Sequence, residues 1–328
     1  MDFRFDADER GLLDQASLAF RKWLPRQRLL DPSPTDDAWR AVAADGWLHA
    51  GLPQDDGTEH LPLPMVCGIG REAGKVLAGE GFVANAVLLP GLTGERDPDH
   101  FVPGFLVADG RRASLYGSAS AATPWCFGVE PGLAAVVVED SGDIGRWPSG
   151  AWDWVPTARL ALGVGTVRPA SAPETIPVNA TTDHDELLRT ARAVHAATLV
   201  GLGEQAWEDA VEYAGQRQQF GSLIGRFQSV KHLLADSAVA LEIAWNAVIY
   251  AALRPDTVNT ITAHLQAKRA ADLAVRTAVQ VFGGIAMTWE HSAHLFLKSA
   301  QAAKYRFGAP EDHALFLAGQ LLREGAPR

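Results

Sequence analysis

The chain has 328 residues, 47% hydrophobic and 21% charged, the balance of a globular protein with a substantial core and room for two or three domains. A net charge of −10 argues against a nucleic-acid surface, which needs a basic patch, and two cysteines without CxxC spacing exclude a disulfide framework and offer no metal site. The N-terminal stretch MDFRFDADERGLLD has no apolar signal core and no run approaches the roughly 18 apolar residues of a membrane helix, so a reduced cytoplasmic compartment without membrane contact is expected.

Residues 1–107 read as helical. Phe5, Leu12, Leu13, Ala16, Leu18 and Phe20 suggest an amphipathic helix with acids near its start. Pro32 to Asp36 break the chain, and a helix resumes over Asp37 to Asp45. Gly51 to Pro62 is a loop. Further helices are expected over Pro64 to Leu77 and Val83 to Leu89. Residues 108–182 are richer in glycine, proline, tryptophan and β-branched residues, which marks a small β domain. Leu133 to Asp140 (LAAVVVED) is a strand, and Trp152 to Leu162 has room for two more. Residues 183–328 return to helix, at about 185–217, 226–253, 257–282, 288–307 and 311–324. Four long helices with short breaks fit an antiparallel bundle. Val230, Leu233, Leu234, Ala238, Leu241 and Trp245 share one face of the second.

Two segments carry the chemical signal: YAGQRQQFGSLIGRFQSVKHLLAD (Tyr213 to Asp236) and QVFGGIAMTWEH (Gln280 to His291). Together they resemble the C-terminal helical domain of the acyl-CoA dehydrogenase family, whose members are FAD enzymes. The order helical, β, helical bundle is the layout of that family, and AVAADGWLHAGLPQDDG is similar to its N-terminal tryptophan-to-glycine segment. The resemblance implies a mainly α fold with an N-terminal helical domain, a reduced middle β domain and a C-terminal four-helix bundle. It also implies FAD. Arg217 would reach the flavin pyrophosphate, because a planar guanidinium pairs two phosphate oxygens. Phe220 would pack on the cofactor together with Gln219, and Gly221 would turn the chain. Gln228 would bond the adenosine end. Gln280, Gly283 and Gly284 would approach from the next helix pair, glycine letting backbone come close to phosphate.

The resemblance also shows what is missing. Dehydrogenases of this family take the α proton of an acyl thioester with a carboxylate. The two positions for that acid are Ala191 and Phe307 here, neither of which can accept a proton. Arg192, which follows the first position, matches the family and is the candidate substrate contact. A TEPxAGSD-like flavin shelf is absent, with LYGSASAATPWCFG (Leu115 to Gly128) in its place. His195, one turn beyond Ala191, and Glu290 are substitute bases, each set against an ordinary packing or pairing role in the bundle. His232 reads as a packed helix residue, and Tyr305 is a remoter candidate. Asp183, His184, Asp185 and Glu186 read as a helix start. Trp125, Trp147, Trp152 and Trp154 suit core packing, or an apolar pocket.

Three functions stay open. The first is a flavoprotein subunit that dehydrogenates an acyl thioester, with the base supplied by another chain. The second is a non-redox cyclase, lyase or isomerase on a hydrophobic substrate, of the kind found in polyketide-type biosynthesis, that has lost FAD. The third is a non-catalytic partner. A homodimer or tetramer, or a heteromer with a second dehydrogenase-like chain, is expected.

Overall fold

In the computed structural model the described residues are 5–29, 36–49, 61–93, seven strands lying between 104 and 176, and 182–324. Helix α1 (Ala7–Trp23) starts at a capping box. Asp6 accepts from the Glu9 N–H at 2.9 Å and Glu9 accepts from the Asp6 N–H at 2.8 Å. Arg21 and Lys22 in its last turn complement the helix dipole. Its Phe20 meets Phe82 edge-on at 5.9 Å. Helices α2 (Asp36–Ala44), α3 (Leu63–Lys75), α4 (Gly79–Val83) and α5 (Leu89–Thr93) follow, with a π-helical turn, Ala84–Leu88, between the last two.

Seven strands then form one sheet: β1 (Gly104–Val107), β2 (Trp125–Phe127), β3 (Ala135–Val138), β4 (Ile144–Trp147), β5 (Trp152–Pro156), β6 (Val164–Pro169) and β7 (Glu174–Ile176). Their order is β5-β6-β2-β1-β3-β4-β7, antiparallel except for the β1–β3 pair. The sequence pattern suggested about three strands. The others are three to six residues long, too short for alternation to stand out. Of residues 152–162 only Trp152–Pro156 is described, as β5, whose partner is β6. Of the Leu115–Gly128 segment only Trp125–Phe127 is described, and the side chains of the clustered tryptophans lie outside the described residues.

The bundle consists of α6 (His184–Gln216), α7 (Gln228–Leu253), α8 (Thr257–Phe282), α9 (Ala293–Ala303) and α10 (Pro310–Glu324). Asp183 caps α6, accepting from the N–H groups of Asp185 and Glu186, as its type and position predicted. Every residue of α6 from Ala191 to Gly203 is buried. A helix packed on all sides needs no polar face, which is why its middle reads as alanine, glycine and β-branched residues without a period. Glycines on both helices set how closely α3 and α6 approach. A Cβ on Gly201 would lie 1.8 Å from the Arg71 carbonyl oxygen, and one on Gly74 would lie 2.0 Å from that of Thr198. Arg71 also pairs with Glu204 across this contact and stacks over Trp245 at 4.3 Å.

The expected face of α7 is offset. Leu234, Ser237, Leu241, Trp245 and Val248 are buried, whereas Leu233 is exposed and Ala238 half-buried. Ser237 takes the inward place because its hydroxyl meets that of Thr277 on α8 at 3.0 Å. His232 is exposed rather than packed. Helix α9 starts five residues later than the pattern suggested. A 3-10 turn, Gly283–Met287, intervenes, and the Ala293 N–H donates to His291 Nδ1 at the new start. Contrary to the sequence expectation, Gln228–Leu253 and Thr257–Met287 are long and apolar enough to cross a membrane. In the fold they pack on α6 and on each other, and α7 carries exposed Lys231, Asp236 and Glu242 on its outer side.

Candidate functional site

The residues singled out from the sequence fall into two sets. The first gathers at one end of the bundle, where α6 ends, α7 begins and α8 ends. Tyr213 and Phe282 touch there at 5.0 Å between ring centroids. Arg217 terminates α6 in extended conformation, its N–H donating to the Tyr213 carbonyl at 2.8 Å. Gln218–Gln219 and Ser222–Leu223 pair as a two-residue hairpin with Phe220 and Gly221 at its tip. Both tip residues have positive φ, 53° and 74°, the pattern of a type I′ turn. Holding a phenylalanine there costs roughly 1–2 kcal/mol, yet its side chain is 94% exposed, meeting only Phe227 at 6.3 Å. Gln228 opens α7, and Gln280 lies in the last turn of α8. Gly283, at φ 67°, ends that helix beside Gly284.

The side chains of Arg217, Gln219, Gln228 and Gln280 are exposed and have no hydrogen-bond partner among the described residues. A Cβ on either glycine would meet nothing within 4 Å. A guanidinium, three amides and bare glycine backbone are the donors a dinucleotide pyrophosphate needs, so this set fits the ADP half of FAD.

The second set lies deep in the bundle. Ala191 and Phe307 are fully buried, and Arg192 and His195 nearly so. Arg192 and Arg217 are roughly 37 Å apart along α6 at 1.5 Å per residue, so the two sets do not share one small ligand. Around Phe307 the structure assembles a polar cluster that the sequence reading missed. Glu80, at the start of α4, accepts from His195 Nε2 at 2.9 Å and pairs with Arg306 Nε at 3.2 Å. His195 Nδ1 meets His264 Nε2 at 2.8 Å. Lys268, one turn along α8 from His264, donates to the carbonyls of Arg306 (2.9 Å) and Gly308 (2.5 Å). His313 Nε2 lies 2.9 Å from the Phe307 carbonyl. Phe307 itself has φ 56°, and its ring packs on His195 at 5.2 Å.

The position that would carry the acid is therefore a strained turn whose three carbonyls, 306 to 308, are all bonded from buried side chains. Burial pushes the Lys268 ammonium down to about 7, and Arg192 adds to the effect. Burial and the neighbouring Lys268 and Arg192 charges push His313 down to about 4. Burial opposes the Glu80 charge, but His195 and Arg306 overcome it and hold this carboxyl at about 2. Burial also lowers His195 against the pull of Glu80, so Arg306 is the counter-charge of Glu80, and His195 serves it as a neutral donor.

The two substitute bases lie in different surroundings. Each ring nitrogen of His195 is already engaged, and the side chain is 1% exposed. Glu290 is on a surface turn, fully exposed, its carboxyl lowered by its own backbone N–H and the Thr288 hydroxyl. Tyr305 is exposed as well. Glu80 gave no sequence signal, since one acid in a glycine-rich stretch is unremarkable. His264 and Lys268 did carry one, as polar residues four apart on the inward face of an apolar helix. Among the described residues no cluster of His, Cys, Asp and Glu could hold a metal.

Residues 184–322 match the family profile "Acyl-CoA dehydrogenase, C-terminal domain". The chain belongs to the acyl-CoA dehydrogenase family. It is 35% identical over 183 residues to the acyl-CoA dehydrogenase IpdE2 of Mycobacterium tuberculosis, a match covering 54% of each chain. It is 30% identical over 299 residues to the acyl-CoA dehydrogenase FadE34 of the same organism, covering 80% of this chain and 40% of that one. The matched stretches thus span about half the length of these relatives or less. Among solved structures, the ChsE4–ChsE5 complex of Mycobacterium tuberculosis superposes with a TM-score of 0.72 at 17% identity over the whole of both chains. That likeness shows the acyl-CoA dehydrogenase fold.

Proposed function

We propose that this chain is a flavoprotein subunit of an acyl-thioester dehydrogenase assembly that grips the ADP half of FAD and takes its catalytic acid from another chain. The observation that carries the reading is the exposed set at the bundle end: Arg217, Gln219, Gln228 and Gln280, whose side chains have no hydrogen-bond partner among the described residues, with Phe220 and the Gly283-Gly284 pair. FAD, when bound, supplies the hydride acceptor. Arg217 would hold the pyrophosphate charge, the glutamines would orient the nucleotide, and Phe220 would exclude water from its face. The position of this set on the outside of the chain favours a cofactor shared across a subunit boundary. Family members with known structure include a complex of two proteins, and a heteromer of that kind supports a base contributed in trans. The substrate class is an acyl thioester.

FAD titration followed by flavin fluorescence tests the reading. Saturable binding is expected for the wild type and at least a tenfold loss for Arg217→Ala, since a charge-assisted hydrogen bond contributes roughly 1.5–3 kcal/mol. Unchanged affinity in that variant refutes the phosphate role.

One observation favours a second reading, a non-redox enzyme on a hydrophobic substrate or a non-catalytic partner. The base positions are filled by packed side chains, and Phe307 is fixed by buried bonds to the carbonyls on either side of it and to its own.

A further inference from the structure

Helix α7 is more apolar than its packing in the single chain uses. Only one third of its most apolar window is buried. Val239 and Ile243, one turn apart in the middle of the helix, are 59% and 54% exposed, and Tyr250 and Leu253 continue the same outer side. Aliphatic side chains held in water along one side of a helix call for a covering surface.

Their neighbours on that side say what covers them. Steps of four and three residues take in His232, Asp236, Val239, Ile243, Asn246 and Tyr250, all exposed. At about 100° per residue these six stay within roughly 40° of one line, the seam of a two-helix coiled coil. A carboxylate and an amide one turn from the aliphatic pair argue against lipid as the cover, since neither finds a partner in hydrocarbon.

The chemistry of the seam reads alike from both ends. About a midpoint at Leu241, Val239 mirrors Ile243, Asp236 mirrors Asn246 and His232 mirrors Tyr250. In an antiparallel pair of identical helices with a two-fold axis at that level, each residue meets its mirror on the other copy. Aliphatic meets aliphatic at the centre, flanked by carboxylate against amide and then imidazole against phenol. In the single chain the Asn246 amide turns back on Glu242, 2.8 Å from its carbonyl and 3.1 Å from its carboxylate, and it can exchange that carboxylate for the one of Asp236. Other registers lose the match. Sliding the copies by one heptad sets Ile243 against Asn246 and Asp236 against Leu253. Sliding them the other way sets His232 against Ile243 and Asp236 against Val239. A parallel pair sets Asp236 against itself, like charge on like charge.

We infer that a second copy of this chain docks on α7, helix against helix, antiparallel about the level of Leu241. The inference stands apart from FAD binding and from the dehydrogenase reading.

Sedimentation equilibrium of the 328-residue chain tests it. The wild type should associate in multiples of two. Val239→Glu and Ile243→Lys should each weaken association by at least about a hundredfold, because each buries two unpaired charges at the centre of the contact. Both side chains are largely exposed in the single chain, so each variant should keep the wild-type circular dichroism spectrum. Mixing the two variants sets one carboxylate against one ammonium and one valine against one isoleucine. The mixture should associate to within about tenfold of the wild type. Val239→Glu mixed with Tyr250→Lys, the charges that the slid register would bring together, should not. Rescue by that second mixture alone, or single variants that associate like the wild type, overturns the inference. So does a wild type that stays monomeric, which leaves the face to a different protein, or to lipid if the chain then floats with phosphatidylcholine vesicles.

Discussion

Replacing Glu80 by glutamine or leucine probes the electrostatic centre of the fold. Glu80 is about one quarter exposed (23% for the side chain), while both partners, His195 and Arg306, are 1% exposed. Leucine leaves Arg306 as a buried charge without its counter-charge, and breaking a buried pair from one side costs about 3–5 kcal/mol. The proton affinity gives an independent figure. A carboxyl at about 2 in the folded chain and 4.5 as its ordinary value corresponds to about 3 kcal/mol at neutral pH. Glutamine keeps an acceptor for His195 Nε2–H and loses only the charge, so about 1.5–3 kcal/mol is expected. At roughly 2–4 °C per kcal/mol, Glu80→Leu should lower the melting temperature by about 6–20 °C at pH 7. The pH dependence follows from the sign of the shift. A depressed carboxyl contributes stability above about 4.5, and the contribution is lost as pH falls towards 2. Thermal melts of wild type and Glu80→Gln should therefore differ at pH 7 and converge as pH falls from about 4.5 to about 2. A variant within a degree of wild type at pH 7, or a gap that does not shrink in acid, refutes the reasoning.

His313 is a base held down to about 4, so the unfolded chain binds more protons between pH 4 and 6.5, and stability should rise with pH across that window. Urea denaturation of His313→Gln should show a shallower rise, whereas an unchanged slope would exclude His313 as its source. Gly201→Ala drives a methyl into the Arg71 carbonyl at 1.8 Å, a backbone contact that cannot swing aside. It should cost at least about 3 kcal/mol by parting α3 from α6, and a calorimetric scan matching wild type would mean the two helices are less closely seated.

The bundle was legible because its signals were strong and mutually consistent. Asp183 announces a helix start, and Thr257–Phe282 has the bounds its pattern predicts. The exposed set at Arg217 to Gln228 was singled out through resemblance alone, since nothing in its composition distinguishes it from a surface loop. The buried cluster was not legible, because its members come from four places in the chain. Glu80 follows a glycine in a short helix, His195 sits among alanines, His313 looks like a surface residue in a helical pattern, and the one signal, the His264–Lys268 spacing, does not say what it meets. Only the fold brings them to one point. The β domain was under-read because its strands span three to six residues, below the length at which an alternating pattern separates from chance.

The central claim, that this chain grips FAD from the outer end of its bundle, is tested most directly by the visible spectrum of the purified protein with and without added FAD. The account predicts flavin absorption that survives gel filtration in the wild type and is lost in Arg217→Ala. A protein that stays colourless after incubation with FAD, or that holds flavin equally well without Arg217, would contradict it.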